Sequence, residues 1–351
     1  MWSRRSFLTS TAALAACGTG AARGTSAPSE ASPQWTPRPA ALGADFHRGM
    51  NFAHLHRRGW GYGSDRAAVQ VARLKANGVT HLALNPFAYT RSLSSPDIEW
   101  GGDGSLTDAD LRAQIQQAHA AGMAVLMKPH LWSWAFMAGS GNGDIKLDAA
   151  GWKIWFERYT EYAVHYARHG EESGCAALCV GLEYTSATRE NPGAWAEVAK
   201  ACRAVFKGPL VYAANWYEEW EIFSDWDAYD YLGIDAYFPL GGTTVEELTA
   251  SWRTHFDAIA RVARGRPVLF PEAGYRAVKG TTEKPWEPDS NVPDVDLQAR
   301  AYEALFRAGA ERPWFKGVYW WKWFTDLPGE NDAFVPADLP AERVLKAWYT
   351  A

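Results

Sequence analysis

Ala177-Leu178-Cys179-Val180-Gly181-Leu182-Glu183-Tyr184 decides how the chain is read. The run is short, uncharged on both alternating faces as far as Leu182, and closed by a carboxylate. Strands covered on both sides have this composition, and they belong to parallel sheets whose faces are packed with helices. The residues ahead of the run fit that picture. Trp152, Trp155, Phe156, Tyr159, Tyr162 and Tyr166 recur at helical spacing, and Gly170 stops the pattern.

The same rhythm extends outward in both directions. Further β-rich runs fall at Gly49–Ala53, Val79–Phe87, Ala124–His130, Leu210–Trp216, Tyr231–Phe238, Pro267–Tyr275 and Gly317–Trp323. One intervening helix starts at Thr107-Asp108-Ala109-Asp110, a capping-box-like pattern, and stops at Gly122. Another runs from about Thr244 to Gly265. The fifth unit is the weakest, because residues 217–229 leave room for only a short helix. Strict alternation places the chain in the α/β class. Eight units in one domain-sized stretch predict closure into a (β/α)8 TIM barrel, a single domain over residues 43–351.

Composition narrows the function. The chain has 351 residues and a formal charge of −5, with no long basic run, so it has no electrostatic footprint for nucleic acid. Nineteen tryptophans exceed what one core needs, and flat aromatic walls suit a sugar cleft. At the N-terminus, Arg4-Arg5 precedes a short apolar run ending in Leu14-Ala15-Ala16-Cys17. Residues 1–17 read as a Tat-type lipoprotein signal peptide, with Cys17 as the lipidated residue. Residues 18–42, rich in Gly, Ala, Ser, Thr and Pro, read as a flexible linker. Loss of Arg4 and Arg5 takes the charge from −5 to −5 − 2 = −7. The expectation is an exported, membrane-anchored lipoprotein facing the periplasm or cell exterior, touching membrane only through its lipid. Cys175, Cys179 and Cys202 read as small core residues.

Barrel geometry says where the chemistry lies. Active sites sit at the C-terminal ends of barrel strands. Simple alternation puts Cys179, Gly181 and Glu183 on the inner face of the fourth strand, with Leu178, Val180 and Leu182 toward the helices. It likewise groups Val268, Phe270 and Glu272 on the inner face of the seventh. The two glutamates lie 272 − 183 = 89 residues apart, so only the fold brings them together. A charge ending an apolar strand is costly without a purpose. Glycoside hydrolysis supplies one: a protonated carboxyl gives the leaving oxygen its proton, and an ionised one attacks the anomeric carbon. Other strand ends carry Asn51, Asn85, Lys128, His130, Asn215, Trp216 and Asp235, groups suited to sugar hydroxyls. Tyr237 is placed to hydrogen-bond the nucleophile. Trp321 is in line to stack on a sugar ring, with Trp323 beside it, and Trp100, Trp132, Trp134 and Trp286 lie in loops on the same face.

His54-Leu55-His56 after the first strand resembles the start of a metal-dependent amidohydrolase barrel. Those sites need later histidines, and the fifth and sixth strands end in Asn-Trp and Asp-Ala-Tyr-Phe. No metal or other cofactor is expected.

One set of motifs carries a wider resemblance. Its members are Gly49-Met50-Asn51-Phe52-Ala53, Lys128-Pro129-His130, Val180-Gly181-Leu182-Glu183, Ala213-Ala214-Asn215-Trp216, Gly233-Ile234-Asp235-Ala236-Tyr237-Phe238-Pro239-Leu240, Pro271-Glu272-Ala273-Gly274-Tyr275 and Tyr319-Trp320-Trp321-Lys322-Trp323. In order and spacing, from about residue 47 onward, the chain resembles glycoside hydrolase family 113, a clan A family known for β-1,4-mannanases. The resemblance implies Glu183 as acid/base, Glu272 as nucleophile and retention of anomeric configuration. Many clan A members carry Asn just before the acid/base, where this chain has Leu182. The expected substrate is β-1,4-mannan or manno-oligosaccharide. The alternatives are another β-glycan (β-glucan, β-galactoside or amino-sugar polymer) or a non-catalytic sugar-binding lipoprotein.

Overall fold

The computed structural model describes residues 41–101, 106–327 and 333–351. The expected signal peptide, Cys17 and nearly all of the expected linker over 18–42 lie outside the described residues. Leu42, at the linker's end, is already buried in the main core.

Eight parallel strands close into a barrel: β1 (His47–Ala53), β2 (His81–Leu84), β5 (Ala124–Met127), β7 (Ala177–Leu182), β8 (Leu210–Asn215), β9 (Tyr231–Asp235), β10 (Val268–Ala273) and β11 (Phe315–Phe324). Pairing of β1 with β11 completes the ring. The runs read as the second and third strands each break after four residues. Their far ends form β3 (Phe87–Tyr89) and β6 (His130–Trp132), which join β4 (Glu99–Trp100) in a small separate sheet.

Helices fill the crossovers. They are α1 (Asp65–Ala76), α2 (Asp108–Ala120), α3 (Ala149–Glu172), the short α4 (Thr185–Glu190), α5 (Ala194–Arg203), α6 (Glu219–Ile222), α7 (Val245–Ala263), α8 (Val295–Ala310) and α9 (Pro340–Tyr349). Thr107 with Asp110 and Thr244 with Glu247 form reciprocal capping boxes that start α2 and α7. The fifth unit is as short as its sequence requires: α6 is one turn.

Two cores result. The larger lies between barrel and helices, and it takes up many of the tryptophans, among them Trp155, Trp195, Trp252, Trp320, Trp323 and Trp348. A smaller one fills the barrel interior with Ala83, Leu126, Ala177, Cys179, Leu182, Val211, Ala213 and Tyr319. Cys175, Cys179 and Cys202 are buried free thiols, each pushed up to about 12 by burial. No helix among the described residues is long and apolar enough to cross a membrane.

Candidate active site

The alternation expected for the fourth and seventh strands does not hold to their ends. In β7, Cys179 pairs with Val211 but Gly181 already pairs with Tyr212, so β7 carries one residue more than its neighbour. Such a bulge reverses which face each later side chain takes. Ala177 and Cys179 face the barrel interior, and after the bulge so does Leu182, not Gly181. Gly181 turns outward; a Cβ there would stand 2.8 Å from the Tyr212 ring and 3.0 Å from Trp195. Glu183 then recovers the inner direction by a left-handed backbone, φ 57°. Its N–H is tied to the Ala213 carbonyl at 2.9 Å.

The seventh barrel strand bulges at the same height. Leu269 pairs with Gly233, and Glu272 pairs with Asp235, three residues against two. Val268 and Phe270 face the helix layer, where the Phe270 ring packs on Trp252 and Phe256 of α7, and the extra residue then brings Glu272 to the inner side. Pro271 sits inside the bulge, where its missing N–H breaks no ladder. Its carbonyl accepts from Asn51 Nδ2 at 2.9 Å.

Glu272 is held by donors. The Lys128 ammonium hydrogen-bonds Oε1, and the Tyr237 hydroxyl donates to Oε2 at 2.8 Å. Lys128 is fully buried. Burial works against its charge, but Glu272 and Asp235 beside it prevail and hold the ammonium above the ordinary lysine value. Burial, reinforced by Glu272 and Asp235, pushes the Tyr237 phenol well above the tyrosine value, so it stays a donor. His130 Nε2 faces Lys128 Nζ at 3.2 Å and Asn85 Nδ2 at 3.0 Å. Both are donors, so Nε2 accepts and the ring carries its proton on Nδ1. Burial first, then Lys128 and Lys322, holds His130 well below the ordinary histidine value, in keeping with a neutral ring.

Glu183 has the opposite surroundings. Its Oε1 accepts from Asn215 Nδ2 at 2.8 Å, a neutral amide. Burial, followed by the negative charges of Glu272 and Glu219, raises its carboxyl well above the ordinary glutamate value. One cleft, open to solvent at its mouth, is lined by both glutamates with Tyr237, His130, Trp286, Trp321, Asn142, Phe87 and Phe334. A carboxyl whose surroundings favour its proton and one bonded to a buried ammonium and a phenol thus share one aromatic-walled cleft.

The structure distributes the sequence-predicted residues unevenly. Glu183, Glu272, Tyr237, His130 and Trp321 line the cavity; the Trp321 ring lies parallel to His130, centroids 5.9 Å apart. Lys128 and Asn215 stand behind the two glutamates. Asn51 and Asn85 are buried struts: Asn51 ties β1 to Pro271 and Tyr319, and Asn85 links Asn51 to His130. Asp235 is fully buried, and neither carboxyl oxygen has a hydrogen-bond partner among the described residues. Burial, then Glu272, pushes it well above the ordinary aspartate value. Trp216 stacks on Trp286, centroids 4.5 Å apart. Trp323 goes elsewhere: it is buried in the helix layer, its Nε1 donating to Gln70 of α1. Trp100 packs on Tyr162, and Trp134 stands exposed against Trp132. His54 Nδ1 accepts the Tyr62 N–H, and among the described residues no group of three His, Cys, Asp or Glu is placed to hold a metal ion. Missed by the sequence were Asn142, Phe334 and the fully buried Glu219. The one available sign was a charge embedded in the aromatic run Trp216-Tyr217-Glu218-Glu219-Trp220.

A closed barrel whose mouth holds two carboxylates of opposite surroundings, walled by aromatic rings, defines a sugar-cleaving barrel enzyme. The sequence model of Glycoside Hydrolase Family 113 matches residues 50–339, and the chain belongs to that family. It is a glycoside hydrolase. Among solved structures it is similar to the family 113 β-mannanase AaManA from Alicyclobacillus acidocaldarius, at 28% identity and TM-score 0.77, over 87% of this chain and 97% of that one. A family 113 β-1,4-mannanase solved as a complex is similar at 26% identity and TM-score 0.77, over 87% of this chain and 99% of that one. A β-glucuronidase from Faecalibacterium prausnitzii, 12% identical with TM-score 0.58, shares the fold over 87% of this chain and 49% of its own. No curated protein matches the chain significantly.

Proposed function

We propose that this enzyme cleaves β-1,4-mannan or manno-oligosaccharides with retention, by double displacement, using Glu272 as nucleophile and Glu183 as acid/base. The observation that carries the reading is the contrast between the two carboxyls in one cleft. Glu272 accepts from an ammonium and a phenol, as an attacking carboxylate must. Glu183 keeps its proton through burial and neighbouring negative charge, as a general acid must. In the first step Glu183 protonates the leaving oxygen as Glu272 Oε attacks the anomeric carbon and the glycosidic bond breaks. In the second, Glu183, now ionised, takes a proton from water, the water oxygen attacks the same carbon, and Glu272 leaves as carboxylate. The substrate class is drawn from the β-mannanases to which the chain is similar.

Proton NMR of the first product from β-1,4-manno-oligosaccharides tests both parts. A first-formed β-anomer is expected. An α-anomer overturns the nucleophile assignment, and no cleavage alongside activity on another β-glycan overturns the substrate.

We also propose export by the Tat route and lipidation at Cys17, on the twin arginine and the Leu14-Ala15-Ala16-Cys17 stretch. Full-length protein should fractionate with membranes and a Cys17→Ala variant should not. Equal recovery of both in the soluble exported fraction contradicts this.

A further inference from the structure

We propose that Glu219 is a positioning residue, a buried anion that fixes Asn215 and, through it, the carboxyl of Glu183. The inference rests on the reading of Glu183 as acid/base. Glu219 opens the one-turn helix α6 and is fully buried. Its Oε2 accepts the Asn215 N–H at 2.8 Å and the Thr185 hydroxyl at 3.4 Å. Its Oε1 accepts the Tyr212 hydroxyl at 2.7 Å and the Thr188 hydroxyl at 2.7 Å.

Neighbouring bonds set the direction of these donors. The Tyr184 N–H donates to the Tyr212 oxygen at 3.2 Å, and the Trp195 indole donates to the Thr188 oxygen at 3.1 Å. Both hydroxyl oxygens are thus already used as acceptors, which frees their protons for Glu219. A carboxylate accepts all of these bonds, whereas a carboxylic acid would have to turn a proton toward one of the donors. Asn215 is fixed in the same way. Its Oδ1 accepts the Tyr217 N–H at 2.8 Å, which leaves Nδ2 for Glu183.

The arrangement reaches Glu183 from two sides. Asn215 holds its carboxyl, and Tyr212 holds the backbone N–H of Tyr184, the residue after the left-handed Glu183. The charged and titratable groups around Glu183 are Glu272 from β10, Lys128 after β5, Asp235 at the end of β9 and Tyr237 beyond it, with Glu219 behind. Those around Glu219 are Tyr212 of β8, Tyr184, Asp235 and Glu183 itself. Burial raises the Glu219 carboxyl above the ordinary glutamate value, and its four donors work against that rise; as a carboxylate it favours the protonated form of Glu183.

The test compares kcat/KM against pH for wild type, Glu219→Gln and Glu183→Gln. Each is run on an unsubstituted manno-oligosaccharide and on an aryl manno-oligosaccharide with a good leaving group. Glu219→Gln should lose about 10–100-fold on the first and about threefold or less on the second, because a misplaced acid matters only where proton donation is needed. Its alkaline limb should move to lower pH. Equal loss on both substrates, or an unmoved limb, overturns the inference. Glu183→Gln separates the two claims: if it keeps the alkaline limb, the acid/base reading itself fails, whereas if it loses the limb and Glu219→Gln changes nothing, only the role of Glu219 falls. If Glu219→Gln does not fold, Tyr212→Phe carries the test. It must show the same dependence on leaving group, and equal loss on both substrates overturns the proposal.

Discussion

The ends of the fourth and seventh barrel strands use one backbone device to opposite electrostatic ends. Each strand carries a bulge just before its glutamate: in β10 the bulge itself brings Glu272 inward, whereas in β7 it shifts the alternation and the left-handed backbone of Glu183 restores the inward direction. Beyond the backbone the two sites part. Glu272 meets a buried ammonium and a phenol, whereas Glu183 meets a neutral amide with two carboxylates nearby. Two chemically identical side chains therefore meet opposite electrostatic surroundings because their neighbours differ. The backbone sets where each carboxyl points, and the side chains from adjacent strands set what surrounds it.

The largest expected effect tests that division directly. With Glu272 as the proposed nucleophile, Glu272→Ala should lower kcat/KM on the order of 10⁴-fold or more on every substrate. Glu183→Ala should lower it about 10²–10⁴-fold on unsubstituted oligosaccharides and far less on activated aryl glycosides. Azide should rescue the Glu272 variant with an inverted product and the Glu183 variant with a retained one. Like responses from both variants, measured by steady-state kinetics and product NMR, break the comparison.

Stability gives a second separation, of opposite sign. The folded state holds the Glu183 carboxyl above its ordinary value of 4.5, while the unfolded chain does not. The folded protein thus binds more protons than the unfolded one above that pH, and stability falls as pH rises toward the folded value. Glu183→Gln removes this penalty, so its Tm should exceed that of wild type at neutral pH, and the gap should close below pH 4.5. Glu272→Gln should instead lose about 3–5 kcal/mol, because the buried Lys128 is left without its counter-charge. Thermal melts at pH 4 to 8 decide it, and Tm shifts of the same sign in both variants contradict the contrast.

The smallest effect lies on the wall the two carboxyls share. Trp321→Ala should weaken kcat/KM by ~1–3 kcal/mol, by analogy with one stacked ring. The loss should be similar on substrates with good and poor leaving groups, because a stacking platform favours neither carboxyl. Trp323→Ala should act through stability, since that ring is buried on Gln70 and in the helix layer. A Trp321 variant with unchanged kcat/KM, or one that unfolds as readily as the Trp323 variant, places the ring outside the cleft's function.

The sequence by itself determined the eight βα units, their order, and the two glutamates that end apolar runs. Apolar strands, helical periodicity and capping residues act over a few neighbours, so these features are readable locally. The short fifth crossover was legible for the same reason. The face each side chain takes was not. A bulge is defined by the count of residues on one strand against the next, and β7 and β8 are paired across a whole helical crossover. Tertiary structure alone therefore decided that Leu182, not Gly181, enters the barrel, and that Phe270 packs on α7. It also decided that Trp321 walls the cleft while Trp323 serves the helix layer. Glu219 makes the same point. Its bonds to Thr185, Thr188 and Tyr212 cross 34, 31 and 7 positions of chain, and a charge becomes meaningful there only once the fold has removed water and supplied those donors.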